Sequence, residues 1–157
     1  MSLQVLEFSV IGVPAPGGSK RGFYNAKIKR VMIVDACARN KPWREAVRWA
    51  AIEAMKHAGI RTGQCFPLQG PIRLDVIFWM PRPKGHYRTG NHAGKLRENA
   101  PLYPVTKPDR TKLLRALEDA LTDSGIWKDD TQVVSGDVSK RYTTREARAD
   151  VVVYIQF

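Results

Sequence analysis

The sequence has few residues of the kinds that build disulfide frameworks or zinc sites. Its 157 residues include two cysteines, Cys37 and Cys65, and three histidines, His57, His86 and His92. Two cysteines are too few for a disulfide framework, and neither residue type shows the close spacing of zinc ligands. We therefore expect two reduced thiols and no zinc site.

Long apolar runs are also missing. No stretch approaches the roughly 18 apolar residues that a membrane-spanning helix needs, and no lipidation signal or strongly amphipathic basic helix indicates a membrane anchor. The N-terminal stretch MSLQVLEFSV lacks the basic segment, apolar segment and small-residue cleavage site of a signal peptide. We expect a cytoplasmic protein without a membrane partner.

Acidic residues are scarce relative to basic ones. The chain has 26 Lys and Arg against 15 Asp and Glu, which gives a formal net charge of +11. Basic side chains displace condensed counterions from a phosphate backbone, so this excess favours a nucleic-acid partner. An anionic membrane, or high solubility alone, also fits the charge.

Apolar patterns along the chain predict the order β-β-α-β-loop-α-β-β. Strands are predicted in LQVLEFSVIGVP, KIKRVMIVDA, GPIRLDVIFWMP, TQVVSGDVSKRYT and EARADVVVYIQF, and a turn with basic residues at its tip in APGGSKRGF. In the third strand, the alternation places Ile72, Leu74, Val76 and Phe78 on one face. The order predicts an α/β or α+β fold, with a mixed sheet and two main helices in a single compact domain over residues 1–157.

The sequence of the first predicted helix contains residues typical of both helix ends. In NKPWREAVRWAAIEAMKHAG, Asn40 is expected to be the N-cap, Pro42 lies in the first turn and Gly59 is the expected end.

In the second predicted helix, a helical wheel separates an apolar stripe from a neighbouring polar one. The apolar stripe consists of Leu113, Leu114, Leu117, Ala120 and Leu121, and the polar stripe of Thr111, Arg115, Glu118 and Thr122.

The segment from Arg82 to Lys107 has no apolar periodicity. It contains six Lys or Arg against the single Glu98, interleaved with Tyr87 and Tyr103. A loop this long inside a compact domain is usually functional or disordered. The two tyrosines are candidates for stacking on bases. The basic residues that we expect to contact phosphates are Lys20, Arg21, Arg82, Lys84, Arg88, Lys95, Arg97 and Lys107.

Acidic residues are concentrated in one place. Six of the fifteen lie between Asp109 and Asp130, which indicates a metal site, a partner surface or a solvated helix face. Asp109 follows a proline at the start of the second helix, so it also fits an N-cap. Asp119 and Asp123 fit a solvated face.

The adjacent pair Asp129 and Asp130 is harder to explain as surface charge. The two carboxylates repel each other unless a cation or a basic group lies near them. If the strand starting at Thr131 packs beside the start of the helix, Asp130 meets Asp109. Such carboxylates suit Mg²⁺, which prefers oxygen ligands and shares its coordination shell with phosphate.

The stretch from Lys107 to Val134 resembles the RusA family of Holliday junction resolvases of bacteria and their phages. The family pattern is a Pro-Asp-x-Asp start, a helix containing DAL, a Gly-aromatic turn and then DDxQV. Looser similarity in WREAV, WMPRPKGHY and YPVTKPD extends the resemblance over most of the chain. The matching pieces are Pro108-Asp109, Asp119-Ala120-Leu121, Gly125-Ile126-Trp127 and Asp129-Asp130-Thr131-Gln132-Val133.

The resemblance implies a homodimeric, Mg²⁺-dependent endodeoxyribonuclease, with Mn²⁺ as a possible substitute. Such an enzyme resolves four-way DNA junctions by paired phosphodiester hydrolysis during recombination and repair, in the cytoplasm of a bacterium or a phage-infected host cell. Two of the family's three metal-binding aspartates map to Asp109 and Asp130. The family's helix lysine maps to Arg115, which keeps the charge but does not readily donate a proton. These three are the expected catalytic residues.

The remaining family aspartate falls on Thr111, whose neutral hydroxyl is a much poorer Mg²⁺ ligand. Glu118 shares the polar stripe with Thr111, but lies about 10 Å further along the helix axis. Asp129 or Asp119 is the other candidate for the missing oxygen ligand. The sequence also fits two other hypotheses for the function: a branched-DNA-binding protein with a degenerate metal site, and a basic RNA-binding accessory protein. The second explains the charge but not the adjacent aspartates.

Overall fold

A computed structural model describes residues 1–157 and contains seven strands and two α-helices. In chain order they are β1 (Ser2–Ile11), β2 (Lys20–Asn25), β3 (Arg30–Asp35), α1 (Asn40–Thr62), β4 (Ile72–Pro81), α2 (Arg110–Ser124), β5 (Val133–Ser135), β6 (Val138–Thr143) and β7 (Arg148–Gln156). Short 3₁₀ turns occur at Lys84–His86, Gly90–His92 and Asp130–Gln132. Neither helix has the length and apolar content needed to cross a membrane.

Five strands form one mixed sheet. β1 pairs antiparallel with β7, and β7 pairs antiparallel with β4. β4 pairs in parallel with both β5 and β6, so these two short strands share one edge of the sheet. The mixed sheet with two helices confirms the expected fold class.

The strand predicted in TQVVSGDVSKRYT is wrong in two respects. Residues Asp130–Gln132 form a 3₁₀ turn, so the strand begins at Val133 rather than at Thr131. It then breaks at Gly136, where a Cβ atom would collide with the carbonyl oxygen of Leu74. The backbone comes too close to β4 for any side chain, which separates β5 from β6.

Both helices lie on one face of the sheet and enclose the core. The side chains predicted to face inward from β4 are buried, as is Met80. On α2 the predicted apolar stripe is buried except for Leu114, which is only partly covered. Ala116, which the wheel did not select, is fully buried because the loop around Gly17 packs against it.

Helix α1 differs from its predicted ends. The N-cap is Arg39, and Asn40 is a buried residue whose Nδ2 donates to the carbonyl oxygen of Pro16 at 2.9 Å. The helix continues through Gly59 and ends at Gly63, which has a φ of 69°. A left-handed residue is needed at the helix end, and Gly63 rather than Gly59 adopts it.

The predicted turn in APGGSKRGF is only partly correct. Residues from Lys20 onward form β2, which pairs with β3 in a two-stranded hairpin, and the turn lies at residues 26–29. One face of this hairpin carries Tyr24, Val31 and Ile33, which are 63%, 67% and 70% exposed. The hairpin therefore carries an apolar face that the rest of the chain leaves uncovered.

Candidate active site

Asp109 occupies the N-cap position of α2, but its side chain makes no capping hydrogen bond. The carboxylate is 59% exposed, and the nearest basic group is the Nζ of Lys112 at 3.9 Å. The backbone of Asp109 starts the helix, since its carbonyl oxygen accepts from the N–H of Leu113 at 3.1 Å. The carboxylate oxygens are therefore free for another ligand.

Strand β6 fixes the segment that leads into Asp109. The Nζ of Lys140 donates to the carbonyl oxygens of Thr106 at 2.7 Å and Pro108 at 2.9 Å. Arg110 Nη1 donates to the carbonyl oxygen of Val138 at 3.2 Å. These bonds tie both sides of Asp109 to the sheet edge, so its position is set by tertiary contacts and not by the helix alone.

A glycine-containing loop, residues 14–19, packs against the first half of α2. The N–H of Gly17 donates to the carbonyl oxygen of Lys112 at 2.9 Å, and Lys112 Nζ donates to Ser19 Oγ at 2.9 Å. A Cβ on Gly18 would lie 3.0 Å from Cδ of Arg115. The sequence pattern did not predict this contact, although two adjacent glycines, Gly17 and Gly18, are typical of a loop whose backbone approaches another element closely.

A cleft of about 420 Å³ lies between this loop, the start of α1 and the start of α2. Its lining includes one carboxylate, Asp109, and three basic side chains, Arg39, Lys107 and Lys112, with Ser19 at one wall. The net positive charge of this lining suits a phosphate, and the Asp109 carboxylate has the oxygen donors that a divalent cation prefers.

Asp129 has a structural role in the turn before β5. Its Oδ1 accepts from the N–H of Thr131 at 2.9 Å, and Gln132 Oε1 accepts from the N–H of Asp129 at 3.3 Å. These reciprocal bonds form a capping box. Hydrogen bonds from Thr131 lower the pKa of Asp129. Gln132 also donates to the carbonyl oxygens of Leu68 and Gly70, which anchors the turn to the segment before β4.

Asp130 follows Asp129 in this turn, which contacts α2. It is exposed, and its charge acts on Glu118 of α2. Partial burial, then the charges of Asp130 and Asp119, raise the pKa of Glu118 to about 7. The structure thus brings Asp130 together with Glu118. No three Asp, Glu, His or Cys side chains are grouped closely enough to hold a metal ion.

The two positions at which the chain departs from the family pattern are both exposed. Thr111 lies on the first turn of α2 and makes no side-chain hydrogen bond. Arg115 lies one turn further along, with its side chain against Gly18. Its guanidinium has no acidic partner, so it is available to an anionic ligand.

The basic residues expected to contact phosphate are in several different situations. Lys20 is paired with Asp35 at 2.5 Å, and Arg88 with Glu98 at 3.3 Å. Arg82 is half-buried and donates to the carbonyl oxygen of Pro101 at 2.7 Å. Arg97 Nε donates to the carbonyl oxygen of Tyr87. Arg21, Lys84, Lys95 and Lys107 are exposed and unpaired.

The long basic loop is internally bonded. The N–H of Arg88 donates to the carbonyl oxygen of Lys95 at 2.8 Å, and the N–H of Arg97 to that of His86 at 2.9 Å. Tyr87 is partly buried in this arrangement, whereas Tyr103 is 55% exposed. The loop therefore has no regular element beyond two 3₁₀ turns, as expected, but it is folded on itself.

Comparison with known proteins identifies the family of this chain. The family model for the endodeoxyribonuclease RusA matches residues 14–154. The chain belongs to the RusA endodeoxyribonuclease family, which confirms the resemblance seen in the sequence. Membership supports a DNA-binding endonuclease. The chain is also 31% identical over 151 residues to the uncharacterized protein YqaN of Bacillus subtilis (strain 168), covering 96% of each chain.

Proposed function

We propose that this protein is a Mg²⁺-dependent, structure-specific endodeoxyribonuclease that resolves four-way DNA junctions by paired phosphodiester hydrolysis. The observation that carries the proposal is the uncommitted carboxylate of Asp109 in a cleft lined by Arg39, Lys107 and Lys112. The resemblance of its motif to that of the RusA family supports a role for this carboxylate as a metal ligand.

The acidic side chains have the donor chemistry that Mg²⁺ requires. Asp109 keeps its oxygens free of capping bonds, and Asp130 has no side-chain ion pair. Partial burial first, and then the negative charges of Asp130 and Asp119, raise the pKa of Glu118, and a nearby cation would oppose these effects. Asp109 and Asp130 would hold the metal, with Glu118 as an additional ligand and Mn²⁺ as an alternative ion. When bound, the ion supplies a water of lowered pKa as the nucleophile.

The basic residues in the cleft, and Arg115 beside the loop that forms one of its walls, would bind and orient the phosphate. Arg115 has an unpaired guanidinium held over Gly18, where it can form a bidentate contact with phosphate oxygens. Lys112 is fixed by its bond to Ser19 Oγ, so its charge stays at the cleft wall. These groups would neutralise the phosphate oxygens as negative charge accumulates during hydrolysis.

A second copy of the chain would provide the paired cut. The observation that supports a homodimer is the exposed apolar face of the β2–β3 hairpin, formed by Tyr24, Val31 and Ile33. An isolated two-stranded hairpin is marginally stable in water, and an uncovered apolar face usually marks an interface. A symmetric dimer would present two copies of the cleft to one junction.

The alternative function is a branched-DNA-binding protein without nuclease activity. Two observations favour it: Thr111 stands where the family has a carboxylate, and no three acidic side chains are grouped as a metal site. In that case the basic cleft would bind phosphate without a metal.

Cleavage of an end-labelled synthetic four-way junction, with and without Mg²⁺, separates these two functions. We expect two symmetric nicks that require the metal, and tighter binding to the junction than to a duplex of the same length. Failure to cut in either Mg²⁺ or Mn²⁺, with junction-selective binding retained, would identify the non-catalytic binder. Equal affinity for junction and duplex would contradict both.

A further inference from the structure

The face of the sheet opposite the helices is open and concave, with a volume of about 1160 Å³. Side chains that point to this face come from alternate positions of each strand. Near the C-terminal end of β4, Trp79 is paired with Arg148 of β7 on one side and with Arg141 of β6 on the other. None of these residues faces the cleft that contains Asp109.

These side chains form a stack of arginines and aromatic rings. The guanidinium carbon of Arg148 lies 5.0 Å from the centre of the Trp79 ring, and that of Arg141 lies 6.0 Å from it. Arg141 is also 5.9 Å from the ring of Tyr103, which belongs to the long basic loop. Contacts of this kind orient a guanidinium while leaving its N–H groups free.

The two arginines of the stack differ in their charge partners. Arg148 Nε donates to Asp150 Oδ1 at 3.0 Å, and Trp79 Nε1 donates to Asp150 Oδ2 at 2.6 Å. Arg141 is exposed and has no acidic partner or acceptor. The neighbouring Arg145 is likewise exposed, and its side chain is unpaired. Arg141 of the stack and the neighbouring Arg145 are therefore two uncompensated positive charges.

The opposite end of the same face is electrically balanced. There Arg73 contacts Asp75 at 2.9 Å and Asp137 at 2.7 Å, and Glu7 also lines the concave surface. Positive charge is thus concentrated at the end that carries Arg141 and Arg145.

This basic end lies next to the candidate active site around the edge strand. Arg110, the residue after Asp109, lines the open face and bonds to Val138 of β6. On the same strand, Lys140 bonds to Pro108 while the adjacent Arg141 points to the open face. A strand of DNA at Asp109 would need only to pass around β6 to reach Arg141.

We infer that Arg141 and Arg145, with Arg110 between them and Asp109, form a second DNA-backbone contact surface on the open face of the sheet. Its occupant is the duplex arm of the DNA whose scissile phosphate lies at Asp109, so the inference rests on the proposed function. Charge complementarity favours DNA over a second copy of this chain, because Asp75, Asp137 and Asp150 of this face are already paired with Arg73 or Arg148 and leave little negative charge for the arginines of a second copy.

The test measures DNA binding without cleavage. Affinity of the full-length protein for a labelled four-way junction and for one duplex arm is measured by fluorescence anisotropy in Ca²⁺ over a range of salt concentrations. The variant is Arg141→Ala/Arg145→Ala, and the matched control is Arg73→Ala, which removes a charge-balanced arginine from the same face. We expect the double variant to bind more weakly and to lower the slope of log affinity against log salt by about 1.8, or about 0.9 per contact. The control should retain the wild-type slope.

Unchanged affinity and slope in the double variant would overturn the inference. So would a change in sedimentation mass without a change in slope, because the face would then bind a second copy. If the natural protein cuts junctions and the double variant binds DNA normally, the proposed function is retained and the second contact surface is rejected. If the natural protein cuts no junction but the double variant shows the lowered salt slope, the second contact surface is retained and the proposed nuclease activity is rejected.

Discussion

Glu118 on α2 and Asp130 in the turn before β5 form an interacting pair of carboxyl groups. Partial burial first, and then the charge of Asp130, raise the pKa of Glu118 to about 7. Glu118 is therefore partly protonated near neutral pH, and its ionisation responds both to pH and to nearby cations.

Replacement of Glu118 by Gln should stabilise the protein above neutral pH. Because the folded-state pKa lies above the reference value of 4.5, the stability contributed by the protonated form is complete below about pH 4.5 and is lost as the pH rises through 7. Melting temperatures of the natural protein and Glu118→Gln should agree at pH 4 and diverge by pH 8, with the variant higher.

Two comparisons make the pH experiment specific. Glu45→Gln removes an exposed carboxylate from α1 and controls for the loss of one negative charge. Mg²⁺ should raise the melting temperature of the natural protein at pH 8 more than that of Glu118→Gln, if this pair contributes to the metal site. A difference in melting temperature that does not vary with pH would contradict the interaction.

Asp109→Asn and Asp130→Asn should each abolish cleavage and leave junction binding intact. Asn keeps the shape of the side chain but removes the charge that would hold a divalent cation, and fewer negative charges then face the phosphates. We expect cleavage to fall by at least about 100-fold, roughly 2.7 kcal/mol of transition-state stabilisation, with an unchanged or lower Kd for the junction.

Two further variants control for charge removal. Asp123→Asn removes an exposed carboxylate that pairs with Arg44 near the end of α2, and it should cut normally. Asp129→Asn retains an oxygen that can accept the capping bond from Thr131, so it separates capping from metal binding. Loss of cleavage in Asp129→Asn at unchanged stability would make Asp129 a ligand as well as a cap.

Thr111→Asp should restore the family's third carboxylate and raise cleavage at limiting Mg²⁺. If Glu118 replaces that carboxylate in the natural protein, Glu118→Gln should abolish cleavage and Thr111→Asp should rescue it. Single-turnover rates over a Mg²⁺ titration measure both effects. Additive losses without rescue would show that Glu118 does not substitute for the missing aspartate.

The apolar hairpin face should be required for dimerisation. Ile33→Asp places a charge at a position that is 70% exposed in the isolated chain, so it should not disturb folding but should disfavour a buried interface. Light scattering after size exclusion should show a shift from dimer to monomer. Ile60→Asp, at a 78% exposed position on α1, is the matched control; a dimer that survives Ile33→Asp would place the interface elsewhere.

The loop from Arg82 to Lys107 should become protected from trypsin when junction DNA binds. Its exposed and unpaired Lys84 and Lys95 are the expected cleavage sites, whereas Arg82 is held by Pro101 and Tyr142. Nicking at the two lysines should slow under saturating DNA. Equal nicking rates with and without DNA would move the contacts away from this loop.

The sequence alone predicted the two helices, most of the buried face of α2, the strands β1, β3, β4 and β7, and the family. Alternation in β4 and the apolar stripe of α2 are local periodicities, so each is readable without knowledge of the partner surface. The strand beginning at Val133, the break at Gly136 and the end of α1 at Gly63 were not readable, because close approach to Leu74 and local capping decide them.

Only the tertiary structure decided how the acidic residues are used. Asp109 and Asp129 both follow the pattern of a capping residue, yet Asp129 caps its turn and Asp109 leaves its carboxylate free. The charge of Asp130 acts on Glu118 because α2 contacts the turn before β5, a relationship between segments that no local pattern encodes. The composition shows an excess of positive charge, and the fold determines where that charge lies. The pairing of β4 with β6 and β7 places Arg141 and Arg148 on either side of Trp79. Residue type sets which charges exist, whereas burial and packing set which of them stay unpaired and available to a ligand.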